Sequence, residues 1–251
     1  MKDPTALAYV NMYAILGAIP LLCRLDEQAA ALIRNEKVSV GFSVRGGPAA
    51  TLVFSDGTCT LRDGVQGASI RLPFSSPEKF NGMIDGTVTP IPSRGFTRIG
   101  FLLRKFMPLT GILTRYLRAT PEDLSDPVFF DRSTTLMLQV IAGAVAQLAN
   151  HDPVSRVSAG YIVDGNIFVG IDNGPHVALS AQQHRLAVCD AQEKDCLSYM
   201  RFPDMKTARA LFDGQVNAVV CVGLGQIRIG GMISQIDNLN RILDRVACYL
   251  A

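Results

Sequence analysis

Few residues in this chain have the types and spacing that chemistry needs. Cys189 is followed by Asp190, Cys196 comes soon after, and His184 lies just before. A thiol becomes a nucleophile only with a base in reach, and His184 is the formal candidate for Cys189, which leaves open an enzyme acting on a lipid-like substrate. The plainer reading is a hairpin carrying two cysteines in or beside a core, where cysteine behaves as a small hydrophobe. The other cysteines (Cys23, Cys59, Cys221, Cys248) and histidines (His151, His176) are scattered, without a C-x-x-C pair or a zinc spacing. No metal, no cofactor and no catalytic residue are expected.

Two further patterns invite a chemical reading. Val219-Val-Cys-Val-Gly-Leu-Gly-Gln-Ile-Arg-Ile-Gly230 has the strand and first two glycines of a dinucleotide fold, but Arg228 occupies the third glycine position. The residues after Gly230 are too few for the helix, second strand and ribose-binding acid that such a fold needs. The second pattern is a cationic one. Arg94, Arg98, Arg104, Lys105, Arg115 and Arg118 are interleaved with Phe96, Ile99, Phe101, Leu102, Leu103, Phe106, Leu109 and Leu113. Such a basic, apolar stretch over 94–118 suits peripheral contact with an anionic membrane, or an ordinary helix with its cations in water.

The elements that must carry these residues are oily. Of 251 residues, 48% are apolar and 18% charged, with 24 basic against 22 acidic side chains. Disorder is excluded by the apolar content, and the balanced charge lacks the concentrated field of a nucleic-acid binder. The low charge fraction is compatible with a cavity, a homodimer interface or contact with something apolar. Ala6 to Cys23 is long and apolar, but Asn11 and Pro20 interrupt it, and a buried helix is expected rather than a membrane span. Asp3 after Lys2, and no A-x-A site, argue against a signal peptide. Reduced thiols in a cytoplasmic protein are expected.

An internal repeat organises the chain. Lys37-Val-Ser-Val-Gly-Phe-Ser-Val-Arg-Gly46 matches Arg156-Val-Ser-Ala-Gly-Tyr-Ile-Val-Asp-Gly165 in character, and Met83-Ile-Asp-Gly-Thr-Val88 matches Leu211-Phe-Asp-Gly-Gln-Val216. The unequal spacing of the two matches implies an insertion. A long apolar helix precedes each strand block, over about 5–33 and 127–150. Short β-rich runs follow, separated by turn dipeptides such as Asp56-Gly57 and Asn173-Gly174, which supply positive φ for hairpins. Proline-started helices then run over 76–85 and 203–212, each ended by a glycine, Gly86 or Gly214. The second half closes with a strand over 216–222, another over 226–229, and a helix over 234–250. Pro90, Pro92 and Gly95 break the corresponding strand of the first half, and residues 119–127 read as a linker. The division is thus 1–120 and 121–251.

From Val157 onward the chain resembles the sterol carrier protein type-two family. The resemblance is carried by the meander, the helix ending Ala210-Leu-Phe-Asp-Gly214, the following Gln215-Val-Asn217, Gly225-Gln-Ile-Arg-Ile-Gly230, and a final helix beginning near Met232. The first half is similar more weakly, through Phe80–Gly86 and Arg94-Gly-Phe-Thr-Arg-Ile-Gly100. The family's Asn-Pro after the first glycine is missing from both halves. The resemblance implies an α+β fold of two tandem units, each a largely antiparallel sheet of about five strands covered by helices. It implies an apolar tunnel that takes up fatty acyl chains, sterols or other lipids without catalysis, in a carrier or, alternatively, a non-catalytic scaffold of the same fold. Flexible, bulky apolar side chains suit such a lining. The candidates are Phe74, Phe80, Met83, Phe101, Phe106 and Met107 in the first half, and Met200, Phe202, Met205, Phe212, Met232 and Ile236 in the second.

Overall fold

The computed structural model describes Lys2 to Leu250 and divides into two compact units, Met1–Arg132 and Ser133–Ala251. The division falls inside the helix Pro127–His151 rather than in the segment 119–127 that the sequence marks as a linker.

In the first unit, strands β1 (Lys37–Val44), β2 (Ala49–Ser55), β3 (Thr58–Asp63) and β4 (Ile70–Phe74) form one sheet in the order β3-β2-β1-β4. Pairing is antiparallel except for β1 with β4, which run parallel. The sheet is therefore mixed, because the chain crosses over through residues 64–69 before β4 instead of turning back as a hairpin. The register places Val38, Val40 and Phe42 on one face with Leu52, Phe54, Ile70 and Leu72, and all are buried. Helical segments Pro4–Val10 and Ile19–Leu25, joined through a wider turn at Asn11–Ile15, supply a second apolar layer. The run Pro4–Leu25 is long and apolar enough to cross a bilayer, but 61% of its most apolar window is buried inside the protein. It ends where the Asp26 carboxylate accepts the Ala29 N–H at 2.8 Å and starts the helix Glu27–Leu32. The helix Pro77–Ile84 is held to the first one through Asn81, which accepts from Asn11 Nδ2 at 3.0 Å and donates to the Pro4 carbonyl at 2.9 Å. Segments Ile99–Phe101, Leu102–Phe106 and Met107–Leu117 run on as one helical stretch, widened just before Pro108, which has no N–H to bond back.

In the second unit, β5 (Gly165–Ile171), β6 (His176–Gln182), β7 (Arg185–Cys189), β8 (Ser198–Phe202) and β9 (Arg228–Gly231) take the order β7-β6-β5-β8-β9. Here β5 and β8 are the parallel pair. The end of Pro127–His151 is pinned to β7 by Asn150, whose side chain both donates to the Leu186 carbonyl (2.8 Å) and accepts the Leu186 N–H (3.0 Å). Met205–Phe212 and the terminal helix Ile233–Leu250 follow, the latter packed on β8 and on Pro153–Ala159.

Among the described residues the two sheets have the same strand order except that the first has no fifth strand. Its place is marked by a single antiparallel bridge between Arg71 and Arg94. Two residues further along, Pro73 would face Pro92, and neither carries the N–H that a ladder needs. The expectation of about five strands is thus corrected to four in the first unit.

The repeat block at Arg156–Gly165 is also corrected. Those residues form the end of the helix Pro153–Ala159 and a turn, and β5 starts at Gly165. Asp152 caps that helix by accepting the Ser155 N–H at 2.9 Å, with Pro153 in the first turn, and this start signal outweighs the strand-like alternation. The true counterpart of β1 and its turn lies further on. Val44-Arg45-Gly46-Gly47-Pro48 corresponds to Ile171-Asp172-Asn173-Gly174-Pro175, and the hydrogen bonds agree bond for bond. Val44 N–H donates to the Pro48 carbonyl as Ile171 N–H does to Pro175, and Arg45 N–H donates to Phe74 as Asp172 N–H does to Phe202. Both turns place the third residue at positive φ, +73° for Gly46 and +55° for Asn173. The match of Met83–Val88 to Leu211–Val216 has the same geometry in both units, a helix end followed by a left-handed glycine. Finally, the expected strand over 216–222 is replaced by the short helix Ala218–Gly223, with Asn217 Oδ1 accepting the Val220 N–H at its start.

Candidate functional site

The residues that could do chemistry are kept apart. His184 occupies the second position of the tight turn between β6 and β7, at φ +64°, where the first unit has Gly57 at +86°. Cys189 closes the far end of β7, which puts on the order of 15 Å of extended strand between base and thiol. The Cys189 thiol is held above its ordinary pKa by burial and by the Asp190 carboxylate, and Cys196 is shifted the same way by burial and by neighbouring negative groups. Both shifts oppose the thiolate that nucleophilic attack requires.

Two open grooves lie on the second unit. One, of about 360 Å³, is lined by Phe168, Gly170, Asp172, Asn173, Arg201 and Arg228. Its cations are already matched, since Arg201 and Arg228 both bind Asp172 and Arg201 also binds Glu193. The other, of about 840 Å³, follows β6 and β7 past Asn166, Ser180, Gln182 and Arg185. Ile171 contributes to the first and Ala181, Leu186 and Ala187 to the second, but polar residues predominate in both, unlike the apolar wall expected of a lipid tunnel.

The apolar candidates behave differently in the two units. In the first, Phe74, Phe80, Phe101 and Phe106 are buried and belong to one cluster of rings around Phe42 and Phe54. Phe80 meets Phe74 edge to face at 5.2 Å and Phe42 at 6.3 Å, while Phe106 meets Phe42 at 5.9 Å and Phe54 at 6.3 Å. Phe101 lies 5.4 Å from Phe54. These rings pack against one another in the arrangements aromatic pairs favour, so this set reads as filled core. Met83 is half-buried at the margin and Met107 is 60% exposed, so neither belongs to that cluster's centre.

In the second unit Met200, Phe202 and Ile236 are buried, Met205 and Phe212 are half-buried, and Met232 is 42% exposed. Register decides what fills the middle. Phe42 pairs with Ala50 and Leu72, and in the second sheet the corresponding residue between Val177 and Met200 is Val169. Phe54, opposite Cys59, becomes Ala181, opposite Leu186. Phe80, in the helix before Gly86, becomes Ala208 in the helix before Gly214. Three buried rings of the first unit are therefore replaced by one valine and two alanines. Phe212 returns one ring by meeting Phe202 at 5.8 Å. Val169 nevertheless stays half-buried although it lies mid-strand beside buried Ile167 and Met200, whereas Phe42 is wholly buried. The candidate site is this face, where three rings give way to one valine and two alanines while Leu186 stands where the first unit has Cys59, and sequence periodicity alone does not reveal it. It requires the register that the turns at Gly46 and Asn173 fix.

Each unit is closed by the same latch. Asp26 and Asp152, the caps of the short second helices, are 7% and 1% exposed. The Tyr116 hydroxyl donates to Asp26 at 2.7 Å, and the Tyr249 hydroxyl donates to Asp152 at 2.8 Å. An arginine completes each set, Arg132 at 3.6 Å from Asp26 and Arg245 at 3.1 Å from Asp152. Burial works against the Asp152 carboxylate, but the bonds from Arg245, the Ser155 amide and Tyr249 prevail and bring its pKa to about 2.

No family model matches the sequence, and no curated protein does. Among solved structures the chain is similar to the sterol carrier protein 2 of Yarrowia lipolytica in its apo form. The identity is 15% and the TM-score 0.32, over 42% of this chain and 88% of that one. At that score the likeness adds nothing to the geometry above.

Proposed function

We propose that this chain is a non-catalytic binder of an apolar ligand, a fatty acyl chain or lipid of similar build, and that the ligand is taken up by the second unit between sheet and helices. The observation that carries the reading is the exchange of Phe42, Phe54 and Phe80 for Val169, Ala181 and Ala208 at matched positions of one fold. A core that loses three rings must collapse, admit water or hold something else, and an apolar enclosure favours an apolar guest. The shared strand order and turn hydrogen bonds support two tandem copies of one sterol-carrier-like unit, of which the first has turned its interior into packed core. Carriage of the ligand between membranes or to a partner is the role such a binder would serve.

The test is mass spectrometry of lipid extracted from natively purified full-length protein, with displacement of a fluorescent fatty acid as the solution assay. Expected are bound lipid at one equivalent or less per chain, and loss of probe binding in Val169→Phe and Ala208→Phe. Lipid-free protein that never displaces the probe would overturn the reading, as would unchanged binding in both ring-restoring variants.

A further inference from the structure

The helical stretch of the first unit that buries Phe101, Phe106, Leu109 and Leu113 also carries a second apolar side. Phe96 is 59% exposed, Leu103 59% and Met107 60%, with Ile99 between them at 36%. Their spacing of three, four and four residues places them on one flank of the helix. Ile91, in the preceding loop, is 77% exposed. Four large apolar side chains in one row exceed the scattered singles that soluble surfaces normally show.

Charge says what covers this row. From Gly86 to Pro121 the chain has no acidic residue, while Arg94, Arg98, Arg104, Lys105, Arg115 and Arg118 lie within it. Arg115 is bound to Asp123, and Arg98 donates to the Lys37 carbonyl at 3.0 Å. Arg94 and Arg104 are exposed, Arg104 next to Leu103 in the chain and Arg94 two residues before Phe96. A protein partner with an ordinary mixed surface has no need of so one-signed a frame. An anionic bilayer matches it, taking the apolar row into the acyl boundary and the guanidinium groups at the phosphates.

We propose that the flank Phe96–Met107 of the first unit docks the protein on anionic membranes. This does not depend on ligand uptake by the second unit. The experiment is co-sedimentation of the full chain with vesicles of phosphatidylcholine alone and of phosphatidylcholine mixed with phosphatidylglycerol. Binding is expected on the anionic vesicles, falling with added salt and weakening roughly fivefold for each charge removed in Arg94→Gln and Arg104→Gln. Leu103→Asp and Phe96→Asp, both on the surface, should abolish it while leaving the circular dichroism spectrum and melting temperature unchanged. Ala208→Phe should still pellet with vesicles, which separates docking from extraction of lipid by the second unit. Equal pelleting of Leu103→Asp and the unaltered protein overturns the proposal. So does salt-independent binding to phosphatidylcholine alone, or absence of vesicle binding together with self-association that Leu103→Asp removes. The last outcome would make the flank an interface between copies.

Discussion

Reciprocal substitution at Phe80 and Ala208 tests the difference between the two interiors directly. Phe80 is fully buried and touches the rings of Phe42 and Phe74. Truncating it to alanine in a packed core should cost about 3–5 kcal/mol, the range for buried Phe→Ala changes. The reverse change, Ala208→Phe, adds a ring at the same place in the second unit, where Ala208 is equally buried. Were that interior as full as the first, overpacking would cost about 1–3 kcal/mol. The open interior proposed above expects the ring to find space there, at a cost below about 1 kcal/mol. Differential scanning calorimetry of the full chain is the suitable assay, because two units need not unfold in one step. At about 4 °C per kcal/mol for a unit of this size, Phe80→Ala should lower one transition by roughly 12–20 °C while Ala208→Phe moves the other by no more than about 4 °C. Ala208→Phe as damaging as Phe80→Ala would refute the reasoning, since it would show the second interior to be closed without a ligand.

Other consequences are simpler to check. The Asp152 carboxyl titrates at about 2 against an ordinary 3.8, so its native interactions contribute about 2 kcal/mol of stability. The folded value lies below the unfolded one, so this contribution is complete above about pH 4 and is lost as pH falls toward 2; Asp152→Asn should flatten the melting-temperature profile over that window. His184→Gly relieves a left-handed histidine at φ +64° and should stabilise by up to about 1 kcal/mol in urea titration, where loss of stability would contradict the turn assignment. Cys189 and Cys196, both shifted away from thiolate, should react with iodoacetamide near neutral pH more slowly than a free cysteine; rapid alkylation of Cys189 would revive a nucleophilic role.

Most of the elements are legible in the sequence, because they are announced by local chemistry. Asp56-Gly57 and Asn173-Gly174 mark their turns, and Pro77, Gly86 and Gly214 mark helix ends. Errors arise where two local signals compete. Residues 156–165 alternate like a strand, yet Asp152-Pro153 starts a helix just upstream that runs to Ala159 and ends in a turn. Residues 216–222 are rich in valine, yet the Asn217 side chain begins a helical turn. The candidate site is less legible. The lining proposed from methionine and phenylalanine content mixes packed core (Phe74, Phe80, Phe101, Phe106) with surface (Met107, Met232). Residue type cannot tell a filled interior from an open one. What distinguishes the units is the absence of rings at Val169, Ala181 and Ala208, and an absence is visible only once the two units are laid in register. The latches escape sequence reading for another reason: Asp26 meets Tyr116, and Asp152 meets Tyr249, across most of a unit's length.

The two prolines that stop the first sheet at four strands also decide what that sheet can do in company. An unfinished edge normally offers a row of amides to any extended chain that drifts past, and long-lived aggregates begin that way. On β4 the row is interrupted by Pro73, and the chain that approaches it stops at Pro92 after one bridge. The first unit has thus given up a strand without advertising the vacancy. Replacing Pro73 alone by a hydrogen-bonding residue would restore the row of amides on β4 and leave it open to such pairing.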